Sequence, residues 1–230
     1  PASLAYPPEN YLQSIRHWAD EEGIVLIFDE IMSAFRLANG GAQEIYQVQP
    51  DLVTVGKGMA NGLPLAALAG PDRLMHKAHA IGYGPTFQGE IYALAAANAA
   101  LEIYRSEPVC RHLNEMGRRL QDGIRSAAVS AGIPLHLEGI APRLVPRFQS
   151  LAGYAEPLLR TFFIQELLHG GILFGGTFLP SYTHTDADIR YTLGCIQPIF
   201  KAMRDAIQSE TLPERISIPL HTLYLGERND

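Results

Sequence analysis

Five consecutive apolar residues, Ile24-Val25-Leu26-Ile27-Phe28, run straight into the carboxylates Asp29 and Glu30. The run follows Gly23, is β-branched at Ile24, Val25 and Ile27, and suits a strand in its length. With no polar residue on either side of the pleat, such a strand calls for cover on both faces, the condition of a parallel sheet between helical layers. The chain is thereby held to an α/β architecture. The carboxylates at the strand's C-terminal end fall where open α/β sheets bind their ligands.

The surrounding pattern agrees. Leu12, Ile15, Trp18 and Ala19 recur at helical spacing between Pro7-Pro8 and Gly23. Further strands are expected over residues 52–55 and 65–69, ending at Gly56-Lys57-Gly58 and Gly70-Pro71. Helices are expected over 72–79 and from Glu90 to near Arg105. Beyond Pro108 the pattern changes. Leu113, Met116, Leu120, Ile124 and Ala127 trace a long helix that Gly132 stops, and short strands are expected at 144–148 and 172–174, with a helix over 157–168 between them. Thr185-Asp186-Ala187-Asp188 fits a capping box before an apolar stripe running from Ile189 to Ile207. The change near Pro108 predicts a sheet-centred part over 1–108 and a smaller α+β part over 109–230.

Composition narrows the function. The 230 residues carry 18 basic against 24 acidic side chains, a net charge of −6, so a basic surface for nucleic acid is not expected. Cys110 and Cys195 lie far apart with no Cys or His spacing suited to zinc, so neither a disulfide framework nor a metal site is expected and a reducing compartment is. The run 91–101 is too short to span a bilayer, and residues 1–8 lack the basic and apolar regions of a secretory leader. The cytoplasm is the expected location.

Three features could carry chemistry. Asp29 ends a buried strand, where a carboxylate needs a cationic partner or a capping role; Asp29 or Glu30 could equally cap the next turn or pair with Arg36. Lys57 stands between glycines that let the backbone approach a ligand, and a lysine held in a partly buried pocket becomes a usable Schiff-base amine; a surface turn explains it as well. The segment Gly82-Tyr83-Gly84-Pro85-Thr86-Phe87-Gln88-Gly89 precedes a helix start, an anion site or a plain entry loop.

Taken together, the strings Leu26-Ile27-Phe28-Asp29-Glu30-Ile31-Met32-Ser33-Ala34-Phe35-Arg36, Gly40-Gly41-Ala42-Gln43 and Pro50-Asp51-Leu52-Val53-Thr54-Val55-Gly56-Lys57-Gly58 resemble the class III pyridoxal-phosphate aminotransferases of fold type I. Within that class the chain is most similar to the glutamate-1-semialdehyde 2,1-aminomutase group. The likeness continues in order through Pro85-Thr86-Phe87-Gln88-Gly89, Gly171-Ile172-Leu173-Phe174 and His184-Thr185-Asp186-Ala187-Asp188-Ile189.

The resemblance implies pyridoxal 5'-phosphate as cofactor, with part of the mainly parallel large-domain sheet in 1–108 and a small C-terminal domain in 109–230. It implies that Lys57 forms the internal aldimine and then carries protons, that Asp29 pairs with the ring nitrogen, and that Ile31 packs on the ring face. Thr86 is implied to reach the phosphate of a neighbouring subunit's cofactor, hence a homodimer with shared sites. No role is implied for Gln43. The glycine/serine phosphate loop and the stacking aromatic of fold type I have no counterpart, so the resemblance is to the C-terminal portion of that fold.

The aminomutase carries an acidic residue shortly before the position of Phe178, where this chain has Gly175, Gly176 and Thr177. That favours transamination between an amine or amino-acid donor and a carbonyl acceptor. Intramolecular amine migration giving 5-aminolevulinate stays as an alternative, and so does a split-enzyme subunit without independent catalysis.

Overall fold

The computed structural model describes residues 8–82, 87 and 89–221. The chain divides between His112 and Leu113 into two compact units. The first contains α1 (Tyr11–Glu21), β1 (Ile27–Asp29), α2 (Ala42–Tyr46), β2 (Leu52–Val55), β3 (Ala67–Ala69), α3 (Asp72–Ala80) and α4 (Ile91–Ser106). Its sheet has the order β1-β2-β3.

β1 and β2 are parallel, in register from Ile27↔Leu52 to Asp29↔Thr54. β3 runs antiparallel to β2. Residues 56–66 hold only a 3-10 turn over Lys57–Met59. That is too little for the crossover a parallel partner requires.

Two of the expected strands are corrected by one motif. The Ile24 N–H is given to the Ala19 carbonyl at 2.8 Å, closing α1 behind Gly23 at φ +64°, so β1 begins only at Ile27. The same Gly-Ile ending closes α5 (Val109–Ala131), where Ile133 N–H reaches Ala128 O at 3.0 Å. It also closes α6 (Glu156–His169), where Ile172 N–H reaches Leu167 O at 2.8 Å. The 6→1 bond and the apolar residue after the glycine belong to the helix end. Residues 172–174 therefore form no strand, and Phe178 pairs with Leu144 instead. The cover expected on both faces of β1 is incomplete among the described residues: Phe28 is half-buried on one face, while Ile27 on the other is 56% exposed.

In the second unit α5 leads into the antiparallel hairpin of β4 (Leu135–Ile140) and β5 (Arg143–Phe148). β4 escaped the sequence reading, although Leu135-His136-Leu137-Glu138 alternates as a half-buried strand does. α6 and α7 (Asp186–Gln208) pack against each other, and α6 also meets β5. Phe163 lies at the centre of their core, stacked on Phe200 at 5.3 Å between ring centroids and flanked by Phe148 and Phe174. The capping box at the start of α7 forms as the sequence predicts: the Asp188 carboxylate accepts from the Thr185 N–H at 2.7 Å, which draws its pKa down. Arg147 is paired with Glu138 across the hairpin at 2.8 Å. The chain beyond α7 is strapped to α6: Gln165 accepts from Ser217 N–H at 2.7 Å and donates to Arg215 O at 2.8 Å, and Thr161 accepts from His221 N–H at 2.8 Å.

Asp51, just before β2, ties the amino end of the parallel pair together. Its carboxylate accepts from Leu26 N–H at 3.0 Å, Arg16 Nη1 at 2.8 Å and Arg73 Nη2 at 2.7 Å. The bond from the Leu26 amide, then that from Arg16, holds its pKa down to about 2. A carboxyl depressed in the folded state stabilises the fold fully above its unfolded pKa, about 4, and loses that contribution as pH falls further. Stability should therefore drop between about pH 4 and the folded value of about 2. In Asp51→Asn this part of the acid limb should flatten, as read by urea titration across the pH range.

Candidate active site

The parallel pair brings two chain segments to one end of the sheet. β1 stops at Asp29; β2, whose Thr54 is the register partner of Asp29, continues through Val55 and Gly56 to Lys57. The adjacent carboxylates of β1 meet opposite fates. Glu30 is 1% exposed and turned inward, where it accepts from the Ser33 hydroxyl and from the Ala42 and Gln43 N–H groups at 2.9 Å each. Those amides open α2, whose N-cap Gly41 has no side chain to offer, so Glu30 caps the helix from twelve residues upstream. At Gly41, φ is +75° and a Cβ would strike the Glu30 carboxylate, so glycine is required on both counts.

Asp29 faces outward. Its Oδ1 accepts from the Ile31 N–H at 3.1 Å and from Thr54 Oγ1 at 3.3 Å. Oδ2 has no hydrogen-bond partner among the described residues. Both residues therefore cap, Asp29 the turn that follows it and Glu30 the start of α2, and Asp29 keeps one oxygen without a donor among the described residues.

Lys57 opens the 3-10 turn at φ +42°, a left-handed conformation that costs a non-glycine residue about 1–3 kcal/mol. Its neighbours fix it there. A Cβ on Gly56 would lie 3.0 Å from Ile31 Cδ1 and 3.4 Å from Leu65 O, so Ile31 and the β3 approach close over a bare backbone. At Gly58 the Tyr104 hydroxyl donates to the carbonyl oxygen at 3.2 Å, and burial pushes that phenol's pKa up, keeping it a donor. The partly buried pocket expected for Lys57 is not what the structure shows: the side chain is exposed, and its ammonium has no partner among the described residues. Beside the turn lies a mainly apolar cleft of about 810 Å³, lined by Met59, Leu65, Phe87, Leu94 and Leu101.

Asp29, Ile31 and Lys57 are thus gathered at one strand end, while Thr86 lies outside the described residues. The sequence reading offered Glu30 as a cap but missed Tyr104 and Thr54. Glu30 and Tyr104 hold the turns, and Thr54 touches Asp29; only the β1–β2 register, invisible in a single sequence, points to the last. In the second unit Gly175 and Thr177 line a separate cleft of about 850 Å³ with Phe174 and His184.

A family model described as Aminotransferase class-III matches residues 3–135. Over 209 residues the chain is 36% identical to the glutamate-1-semialdehyde 2,1-aminomutase of Thermus thermophilus, covering 84% of this chain and 48% of that protein. The enzyme of the same name from Syntrophobacter fumaroxidans is 33% identical over 83% of this chain and 47% of its own length. Among solved structures, the internal aldimine form of the FumI protein of Sphingopyxis sp. MTA144 superposes with a TM-score of 0.80 at 26% identity, over 89% of this chain and 49% of that one. A glutamate-1-semialdehyde aminomutase from Pseudomonas aeruginosa, at 20% identity and a TM-score of 0.73 over 86% of this chain and 49% of its own, shares the fold. The chain belongs to the class III aminotransferases, a pyridoxal-phosphate-dependent family of fold type I. It spans about half the length of the relatives it matches.

Replacing Glu30 by Gln turns one of its acceptor oxygens into a donor facing other donors. Urea denaturation should show a loss of about 1–3 kcal/mol, the cost of leaving a buried hydrogen-bonding group unpaired. Gly41→Ala should lose a similar amount through its left-handed backbone and the collision with Glu30.

Proposed function

We propose that the chain is the lysine-bearing part of a pyridoxal-phosphate-dependent transaminase that moves an amino group from an amine or amino-acid donor to a carbonyl acceptor. The observation that carries this is that the parallel pair brings to one end of the sheet Lys57, flanked by glycines, and Asp29, with neither the Lys57 amine nor Asp29 Oδ2 partnered among the described residues. Residues 1–108 then form the C-terminal part of the large cofactor-binding domain, and 109–230 the small domain.

The residues present fit the cofactor. Gly56 leaves open backbone where a Cβ would crowd Ile31, and the unused acceptor of Asp29 suits a ring N–H. When bound, pyridoxal phosphate supplies an electron sink that makes the C–H bond of the bound amine acidic. Lys57 would hold its aldehyde carbon covalently and, once released, carry the proton to and from the substrate carbon. Asp29 would keep the ring nitrogen protonated, Ile31 would cover one ring face, and Thr86 would serve the phosphate across a homodimer interface. A cytoplasmic location belongs to the same reading.

The names of the two curated relatives favour a second reading, intramolecular migration of the amine as in the aminomutase. Gly175 and Thr177, at the place of an acidic residue, favour transamination. Turnover that needs an added keto acid supports the transaminase, and turnover without one supports the aminomutase.

The chain contains three lysines, Lys57, Lys77 and Lys201, the last two exposed. Incubation with pyridoxal phosphate, borohydride reduction and peptide mapping should place the pyridoxyl mass on Lys57 well above the other two. Equal labelling of all three, or of Lys77 and Lys201 alone, would contradict the proposal.

A further inference from the structure

We propose that Thr54 is a positioning residue that fixes the Asp29 carboxylate, occupying one oxygen so that the other is presented to the ring nitrogen of the cofactor. This rests on the reading of the site given above.

Thr54 and Asp29 are register partners in the parallel pair. Side chains alternate faces along a strand, and residues opposite one another share a face. Thr54 braces the end of β1 twice. Its carbonyl accepts from the Glu30 N–H at 2.9 Å, the bond just past Asp29, and its hydroxyl donates to Asp29 Oδ1 at 3.3 Å. The Ile31 N–H supplies a second donor to the same oxygen at 3.1 Å. An outward aspartate side chain without such donors would exchange among its staggered rotamers and turn its carboxylate as it did so. Two donors converging on Oδ1 from different chain segments remove that freedom and leave Oδ2 as the acceptor for an incoming cation.

Threonine suits both demands at position 54. It is β-branched and tolerated in a strand, as Val53 and Val55 are, and it adds the hydroxyl that valine lacks. Thr54→Val therefore removes the donor while keeping the shape, and Thr54→Ser keeps the donor while losing the methyl.

The test compares wild type, Thr54→Val and Thr54→Ser in two measurements on the full chain. Three-bond couplings at Asp29, recorded without cofactor, report whether its side chain is fixed. Titration calorimetry with pyridoxal phosphate reports affinity. The expected result is averaged Asp29 couplings and about tenfold weaker binding in Thr54→Val, without a lower thermal midpoint, and both properties restored in Thr54→Ser. A Thr54→Val chain with wild-type couplings and affinity overturns the assignment. Wild type that fails to bind at all, with its Asp29 couplings fixed, overturns the reading of the site and this assignment with it. Weak binding in all three variants with a lowered midpoint in Thr54→Val makes Thr54 merely structural, which also overturns the proposal.

Discussion

The buried carboxylate of Glu30 governs the geometry of this site. Taking a carboxylate out of water costs several kcal/mol. Hydrogen bonds to a charged group return about 1.5–3 kcal/mol each, and Glu30 receives them from Ser33, Ala42 and Gln43. The balance closes only if the chain from residue 30 to residue 43 folds back so that the first amides of α2 meet the end of β1. That return fixes the turn in which Ile31 lies over Gly56 and Asp29 looks outward.

Three carboxylates around the parallel pair illustrate how environment divides one chemistry among several tasks. Asp51, at the amino end, is saturated by two arginines and an amide and holds the strands together. Glu30, at the carboxyl end, is saturated by hydroxyl and backbone donors and holds the turn. Asp29, one residue away from Glu30, retains an oxygen that accepts from no donor among the described residues. Lys57 is its counterpart in charge, an amine without a partner among the described residues and on a strained residue. Unsatisfied groups at a strand end, braced by satisfied ones behind them, are the arrangement a ligand site calls for.

Much of this was legible in the sequence because it is local. The helical stripes, the capping box at Thr185 and the apolar run ending at Asp29 are set by residues close in the chain. The strand starts were misread for a physical reason: Ile24 and Ile172 are apolar and β-branched, yet each follows the glycine that ends a helix, so its amide is already committed to that helix. The functions of Glu30, Thr54 and Tyr104 depend on partners 12, 25 and 46 positions away. No spacing rule reaches such pairs. The exposure of Ile27 was likewise beyond the sequence, since an apolar strand records what it needs and not what covers it.

The central claim is that the end of β1 presents Asp29 to a protonated ring nitrogen. Nitrogen-15 NMR of pyridoxal phosphate labelled in the ring and bound to the chain tests this most directly. The account predicts a protonated nitrogen in wild type and a neutral one in Asp29→Asn. The same nitrogen shift in both proteins would contradict it.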